Sequence, residues 1–429
     1  MNRQLHVTLN KELIGTLFEN QGIWSFQYET SWLATGYSLA PGLPLTPEKI
    51  EDGGSIRPVQ WFFDNLLPED AARTQLTVTL PAEASDSWGL LAHYGAESAG
   101  ALTLLPPNTE QLTGGLQPLT DEDLEARIRA MPRQPLAAGA PKKMSLAGAQ
   151  QKLQIVVGSE GKLFEPMGAQ ASTHILKPDV SSEFYPCSAV NEWFCARLAQ
   201  ELGLSVPPVQ LRYVPSAVYI IERFDRKFDG AQTTRLHALD AVQLLTLSAA
   251  SKYARSGIDA LIDIVDKCRP PATTRLALFR WTLFNILIGN SDAHLKNLSV
   301  LATRGGYQLA PHYDLLATSA WNRPELASPG ELTWPEVPMS FKVGDATTYP
   351  QLTREHLHTF ARQLGVAPSA AAREMDRMTE NIERTADKVR TEFEARSDVP
   401  VHSRASQLRM ILAIIYLPIS TMANQLRKD

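Results

Sequence analysis

Apolar residues recur every three or four positions from Phe279 to Ile288, which predicts a buried helix. Gly289 follows, and glycine suits the left-handed turn that ends many helices. A short polar loop then leads to a second apolar run, Leu298–Leu301, which predicts a strand. Because this loop is tight and begins on a buried helix, we expect its side chains to be held rigidly.

The N-terminal part of the chain shows the two-residue alternation of strands. Residues 1–107 predict a small α+β module with a hairpin turning at Asn10 and Lys11 and a third strand over Ile23–Tyr28. An aromatic stretch that ends before Pro68 predicts a helix. Its Trp and Phe side chains fit a core, and an exposed docking surface is the alternative.

Three further parts follow from the same patterns. Residues 108–143 predict a linker that holds one helix, capped at Thr120. Residues 144–235 predict a strand-rich part, and residues 236–429 a mostly helical one. The helices expected in that last part span about 238–250, 257–267, 273–289, 353–365 and 368–393, the last continuing toward Leu408–Tyr416.

Composition narrows the class of protein only slightly. The 429 residues are 44% hydrophobic and 20% charged, with a net charge of −5 and a pI near 6.0, so nothing draws the whole chain to nucleic acid. The three cysteines match neither a metal motif nor a disulfide framework. No run of 18 apolar residues occurs, so we expect a cytoplasmic protein that does not enter membranes.

The polar loop carries Asp292 and Asn297 at the spacing D-x-x-x-x-N. In phosphoryl transfer, an Asp accepts the proton of the attacking hydroxyl and an Asn five residues later holds a magnesium ion. A hairpin turning near Gly305 leads to Asp314, which we expect beside the loop as the second metal ligand. This order is found in protein kinases and their relatives.

Each of these residues also has a simpler interpretation. Asp292 can cap a turn, Asn297 can satisfy a backbone group, and Asp314 can begin a helix. The order of all three behind a buried helix favours the kinase interpretation.

Upstream residues supply candidates for nucleotide binding. The loop of small residues before Lys152 lets backbone N–H groups approach phosphates, although a surface hairpin would look the same. Lys177 ends a short strand, and Glu192 near the start of the next helix is placed to orient it; the alternative is a solvated Lys and a surface Glu. The strand reaching Glu222 ends where a kinase hinge belongs, with Phe224 as an apolar wall for adenine.

The chain resembles the HipA family, the serine/threonine-kinase toxins of bacterial HipBA toxin–antitoxin modules, over essentially its whole length. The residues that carry the resemblance are Phe62–Pro68, Gly100–Leu104, Ser145-x-x-Gly148-Ala149-Gln150-x-Lys152, His174-Ile175-x-Lys177, Asn191-Glu192, Glu222–Arg226, Asp292-x-His294-x-Lys296-Asn297 and Tyr313-Asp314. It implies an α+β, two-lobed, protein-kinase-like fold. A small mixed α/β coupling subdomain would precede a β-rich N-lobe and a mostly helical C-lobe.

The resemblance also implies roles for single residues. Asp292 would be the catalytic base, Asn297 and Asp314 would bind Mg²⁺, and Ser145 would be autophosphorylated, expelling its loop from the phosphate site. The residues expected to contact ATP are Ala147, Gly148, Ala149, Gln150, Gln151, Lys152, Lys177, Glu222, Arg223, Phe224, His294, Leu295, Lys296, Asn297, Tyr313 and Asp314. Gln151 departs from the family, in which an acidic residue often precedes the Lys.

The implied function is phosphorylation of a serine on an aminoacyl-tRNA synthetase, the glutamyl enzyme being the known type. Translation would stop, and growth arrest and persistence would follow. The implied partner is a HipB-like helix-turn-helix antitoxin, through which the toxin reaches operator DNA as a co-repressor. The alternatives are a small-molecule kinase of the aminoglycoside type and a non-catalytic protein that bridges antitoxin dimers on DNA.

Overall fold

The structure, a computed structural model, describes residues 3–78, 80–81, 84–109, 113–131, 133–142, 148, 150–229, 232–327 and 330–427. Its strands are β1 (Arg3–Leu9), β2 (Glu12–Asn20), β3 (Ile23–Tyr28), β4 (Ile50–Glu51), β5 (Leu102–Leu105), β6 (Gly115–Pro118), β7 (Leu153–Val157), β8 (Leu163–Met167), β9 (His174–Pro178), β10 (Val209–Tyr213), β11 (Ala217–Glu222), β12 (Arg226–Asp229), β13 (Gln232–Arg235), β14 (Ala238–Asp240), β15 (Ser299–Thr303), β16 (Gly306–Leu309), β17 (Pro338–Val343) and β18 (Ala346–Thr348).

The α-helices among the described residues are α1 (Thr30–Thr35), α2 (Pro58–Asp64), α3 (Asp70–Val78), α4 (Ser87–Tyr94), α5 (Asp121–Ala130), α6 (Ser188–Glu201), α7 (Ala241–Leu244), α8 (Ile258–Lys267), α9 (Pro271–Leu287), α10 (Arg354–Gln363), α11 (Pro368–Glu394), α12 (Val401–Ile414) and α13 (Ser420–Arg427). The chain divides into two units. The first unit comprises Met1–Lys177, Glu222–Lys252 and Ser299–Ala310, and the second comprises Pro178–Ile221, Tyr253–Leu298 and Pro311–Asp429. The boundaries at 107, 143 and 235 stay predictions.

The first unit begins with an antiparallel sheet in the order β4-β3-β2-β1-β5. The hairpin between β1 and β2 turns at Asn10 and Lys11, whose φ angles of 48° and 77° suit a two-residue turn. Helix α2 packs on β3, with the Phe26 and Phe63 rings 5.7 Å apart. The aromatic stretch is therefore core, as predicted, although its helix begins at Pro58.

Two further sheets of the first unit contain strands that position candidate site residues. The strands β9, β7, β8 and β6 are neighbours in that order, and β15 pairs with both β14 and β16. The predicted hairpin that leads from the Asp292 loop toward Asp314 is confirmed as β15 and β16, with Val300 opposite Leu309 and Leu301 opposite Gln308. Strand β6 lies in the segment expected to be a linker, whose predicted helix is α5 with the Thr120 cap in place.

The second unit is built around helices whose apolar faces meet one another. Helix α6 packs against α11 and α12, and α9 packs against α8 and α11. The ring centroids of Trp193 and Phe393 lie 6.1 Å apart, and those of Trp281 and Phe341 lie 5.3 Å apart. Glu192 on α6 is 1% exposed, so the interpretation of a surface glutamate is wrong.

Two helix predictions from the sequence are wrong. The segment 238–250 holds strand β14 and only the short helix α7, because β14 pairs with β15 and a capping box at Asp240 starts the helix after it. Helix α11 stops at Glu394 rather than continuing. The next helix begins at Val401 after Pro400, a residue suited to a helix start but not to its interior.

The three cysteines are free, as predicted. Burial raises the pKa of the Cys187 and Cys268 thiols to about 11, and it raises that of Cys195 as well. These thiols therefore stay protonated at neutral pH and are poor nucleophiles.

One helical stretch, Val401–Arg427, is long and apolar enough to cross a membrane, judged by length and composition alone and among the described residues. It consists of α12, a π-helical turn at Ile415–Ile419 and α13. Its buried side chains pack against α6 and α11 within the second unit. A core helix of a folded domain meets the same criteria.

Replacing Gly289, the glycine that follows α9, should destabilise the protein. Its φ is +63°, and an added Cβ would lie 2.0 Å from Ser319 Oγ and 2.7 Å from Pro418 Cβ. We expect Gly289→Ala to lower the free energy of unfolding by about 2–4 kcal/mol, because backbone strain and overpacking add. Denaturant titration measures the change.

Gly203 provides the matched control in the same unit. Its φ is +79°, but nothing lies within 4 Å of an added Cβ. Gly203→Ala should therefore cost only roughly 1–2 kcal/mol, the backbone part alone. Equal losses in the two variants would contradict the steric argument at Gly289.

Candidate active site

The loop after α9 is anchored to the helix that precedes it. The Asn290 N–H donates to the Asn285 carbonyl at 2.8 Å, and the Asn290 side-chain amide donates to Asn285 Oδ1 at 2.8 Å. The Asn290 Oδ1 in turn accepts from the Asp292 N–H at 3.1 Å. Asn290 thus links a buried helix directly to the candidate base, as the sequence pattern required of a rigid loop.

Asp292 is exposed, whereas Ala293–Val300 is buried throughout. The Asn297 side-chain amide donates to the Asp292 carbonyl oxygen at 3.1 Å. This bond closes the D-x-x-x-x-N loop. It uses the amide nitrogen of Asn297, so the Asn297 Oδ1 is not the atom that contacts that carbonyl. His294, Leu295 and Lys296 lie in the buried part between them. A proton acceptor is therefore accessible at one end of the loop, and an amide is fixed at the other.

The segment that carries Asp314 is bonded to the same loop. The Tyr313 hydroxyl donates to the Lys296 carbonyl at 2.8 Å. At the other end, Thr318 Oγ1 accepts from the Ser291 N–H at 2.7 Å. Asp314 itself has φ of 57°, a left-handed conformation that Asp adopts more readily than most residues. The second unit thus brings Asp292, Asn297 and the Tyr313–Thr318 segment together.

The pKa of a buried tyrosine, Tyr219, is affected by the charges around this segment. Burial raises the pKa of Tyr219 well above its ordinary value, and the negative charges of Glu192 and Asp314 raise it further. Both carboxylates therefore act on one phenol that is 1% exposed. Helix α6 is also fixed to the segment, because Asn191 Oδ1 accepts from the Ala317 N–H at 2.8 Å.

The predicted phosphate loop belongs to the first unit. Ser145, Ala147 and Ala149 lie outside the described residues. Gly148 has φ of +106°, a backbone conformation that residues with a Cβ rarely adopt. An added Cβ would lie 2.7 Å from Lys152 Nζ, the end of a flexible side chain, so the backbone conformation is the main reason for glycine here.

Gln151, the departure from the family pattern, is a hydrogen-bonding residue of the loop. Its Oε1 accepts from the Leu136 N–H at 3.1 Å, and its amide contacts the Gln75 side chain on α3. Gln151 lines a small cleft of about 50 Å³ together with Gly148 and Gln150. The contact with α3 was not predicted, because nothing in the local pattern links residues 76 positions apart.

The predicted hinge residues have different surroundings. Arg223 is 3% exposed, and its guanidinium forms two bonds with Asp225, at 2.9 and 2.6 Å, and one with Gln154 at 2.7 Å. The Arg223 N–H donates to the Thr173 carbonyl. Its side chain is therefore structural. Its carbonyl accepts from the Arg226 N–H at 3.3 Å, which leaves one lone pair for a nucleotide. Glu222 and Phe224 are half-buried, and Lys177 is buried.

Behind the hinge lies a buried ionic cluster that sequence reasoning missed. Glu97, 1% exposed in its side chain, accepts from Lys142 at 2.5 Å, Arg226 at 3.0 Å and Arg235 at 3.2 Å. Burial alone would raise the pKa of Glu97, but these cations outweigh it and hold the pKa well below its ordinary value. The cluster joins segments up to 138 residues apart within the first unit.

The described residues contain no group of three or more His, Cys, Asp and Glu side chains placed to hold a metal ion. The amide oxygen of Asn297 and the carboxylate of Asp314 are nevertheless the hard oxygen ligands that Mg²⁺ prefers. Mg²⁺ in nucleotide sites is usually held by one or two side chains together with phosphates and waters. The residues present therefore fit such an ion.

The fold is α+β and protein-kinase-like, as predicted, and comparisons with known proteins agree. The model of the HipA-like C-terminal domain matches residues 144–386, and that of the HipA N-terminal domain matches residues 5–105. The chain therefore belongs to the HipA family, which confirms the resemblance.

Individual relatives extend the match along the chain. The protein Y4mE of Sinorhizobium fredii, named as a candidate kinase, is 33% identical over 415 residues, 94% of each chain. The serine/threonine-protein kinase toxin HipA of Shewanella oneidensis is 30% identical over 318 residues, covering 70% of this chain and 71% of the relative. A solved structure of Shewanella oneidensis HipA with HipB and its operator DNA has a TM-score of 0.79 at 24% identity, covering 99% of each chain.

The Glu97 cluster should stabilise the first unit most at neutral pH. We expect Glu97→Gln to lower the free energy of unfolding by about 3–5 kcal/mol, because the buried cations Lys142 and Arg226 and the half-buried Arg235 lose their shared carboxylate. Since the folded pKa of Glu97 is depressed, its contribution is present above the unfolded pKa near 4.5 and is lost as the pH falls below it. Denaturant titrations at neutral and acidic pH measure both effects.

Glu160 offers the control for this prediction. Its carboxylate pairs with Lys162 at 3.1 Å, with both side chains more than two-thirds exposed. Glu160→Gln should stay within about 0.5 kcal/mol of the wild type. A Glu97 variant that is no less stable than this control would contradict the assignment of the cluster as a structural support.

Proposed function

We propose that this protein is a serine/threonine-protein kinase toxin that transfers the γ-phosphate of ATP to a serine of another protein. The observation that carries the proposal is that the loop holding Asp292 and Asn297 is hydrogen-bonded to the segment holding Asp314 in the second unit. Family membership supports the same reaction class, because relatives bear the name of kinases.

In the proposed mechanism, Asp292 accepts the proton of the attacking serine hydroxyl. Its exposure leaves room for an acceptor protein to approach, and its loop is already rigid, so little reorganisation is needed at the moment of transfer. Asn297 and Asp314 would hold Mg²⁺, which when bound neutralises charge on the phosphates. Glu192 would orient Lys177 toward the phosphates.

The remaining nucleotide contacts follow the family pattern. Residues 147–152 would approach the phosphates through backbone N–H groups, and Lys152 would add a cation. Glu222 and Phe224 would face the adenine, together with the Arg223 carbonyl. His294, Leu295, Lys296 and Tyr313 would also contact the nucleotide; the first three are buried in the loop.

The proposed acceptor is an aminoacyl-tRNA synthetase, with the glutamyl enzyme the first to test. Phosphorylation of such an enzyme would halt translation and arrest growth in the cytoplasm. The proposed partner is a HipB-like antitoxin, through which the protein would contact operator DNA as a co-repressor. The Shewanella oneidensis HipA structure, a complex with HipB and operator DNA, supports this choice of partners.

Asp292→Asn should lower phosphate transfer by about 10²–10⁴-fold, because the amide cannot accept the proton. The assay follows transfer of labelled phosphate from ATP and Mg²⁺ to a panel of synthetases. The fold should survive, since the Asp292 backbone N–H and carbonyl keep their bonds to Asn290 and Asn297.

Asp387→Asn provides the matched control, an exposed carboxylate on α11 that pairs with Arg390. It should transfer phosphate at the wild-type rate. Full activity in the Asp292 variant would overturn the assignment of the base. Label found on a small metabolite rather than on a protein would instead indicate the small-molecule kinase.

Ser145→Ala should remove self-phosphorylation, because the family pattern places the modified hydroxyl at this position. Mass spectrometry of the protein after incubation with Mg²⁺ and ATP should find one phosphate fewer than on the wild type. The variant should also retain activity longer than the wild type, since its phosphate loop acquires no added charge. Equal phosphorylation of the two proteins would show that Ser145 is not the site.

A further inference from the structure

A tyrosine outside every motif named above contacts the candidate base. The Tyr253 hydroxyl donates to Asp292 Oδ1 at 2.6 Å, a short distance typical of a hydroxyl bonded to a charged carboxylate. The residue precedes α8 and lies 39 positions before Asp292 in the chain. Both residues belong to the second unit.

The phenol is held in place from two sides. Its ring packs edge-on against His294, with ring centroids 4.9 Å apart and an interplanar angle of 83°. Its backbone carbonyl accepts from the Ser256 N–H at 2.9 Å, and Ser256 Oγ accepts from the Leu295 N–H at 3.2 Å. The turn that carries Tyr253 is therefore bonded to the loop that carries Asp292.

We propose that Tyr253 is a positioning residue that fixes the carboxylate of Asp292 for proton acceptance, an inference that rests on the proposed function. The bond from Tyr253 fixes one oxygen of the carboxylate itself, whereas the bonds from Asn290 and Asn297 hold the Asp292 backbone. The phenol has few torsions of its own and is braced by His294. A carboxylate offers about four lone-pair sites on two oxygens, so an acceptor hydroxyl can bind while Tyr253 remains in place.

The test is Tyr253→Phe, which removes one oxygen and keeps the ring on His294. We expect kcat for transfer from ATP to the protein acceptor to fall about tenfold or more, as for other small displacements of a reacting group. The KM for ATP and the thermal midpoint should stay at the wild-type values, because the variant loses no contact to nucleotide or core. A residue with only a structural role would lower the thermal midpoint instead.

Tyr416→Phe is the matched control, since Tyr416 is 66% exposed on the π-helical turn far along the chain from the loop. It should leave kcat unchanged. The double variant Tyr253→Phe with Asp292→Asn should be no less active than Asp292→Asn alone, because two residues that act through one carboxylate are not additive.

The outcomes separate this inference from the proposed function. Wild-type kcat in Tyr253→Phe, or a further multiplicative loss in the double variant, would overturn the positioning role while the inactive Asp292→Asn keeps the kinase assignment. A lowered kcat accompanied by a lower thermal midpoint would also overturn it. A wild-type protein that transfers phosphate to no protein acceptor would overturn the proposed function and this inference together.

Discussion

The site depends on the pair of hydrogen bonds by which Asn290 attaches the loop to Asn285 on α9. Helix α9 is buried along most of its length, so its last turn is a fixed platform. Gly289 reverses the chain there with a left-handed φ that other residues adopt at a cost. The Asp292 N–H then bonds to Asn290, and the position of the candidate base follows from the packing of the helix.

The same constraint explains how distant segments meet. The loop is hydrogen-bonded to the Tyr313–Thr318 segment at two points. The Ser291 N–H donates to Thr318 Oγ1, and the Lys296 carbonyl accepts from the Tyr313 hydroxyl. Asn191 on α6 binds that segment from the other side. Loop, segment and helix are thus joined by bonds between polar groups that are mostly buried, where leaving a partner out would cost about 1–3 kcal/mol each. A site held in this way needs little rearrangement to act on a substrate.

Much of this could be predicted from the sequence, because the signals are local. The period of α9, the glycine after it and the hairpin of β15 and β16 each depend on residues within a few positions of one another. The prediction for 238–250 was wrong because pairing of β14 with β15, some 60 positions away, overrides local helix preference. The Glu97 cluster and the Tyr253 contact were missed because they too join residues that are far apart in the chain. Their charges and hydroxyls look solvated until the fold brings the partners together.

The central claim is that Asn297 and Asp314 share one divalent cation next to the base Asp292. A crystal structure of the protein with Mg²⁺ and a non-hydrolysable ATP analogue tests it most directly. The account predicts one Mg²⁺ about 2.0–2.1 Å from Asn297 Oδ1 and from an Asp314 carboxylate oxygen, with the terminal phosphate facing Asp292. A nucleotide whose metal touches neither side chain, or whose terminal phosphate lies away from Asp292, would contradict it.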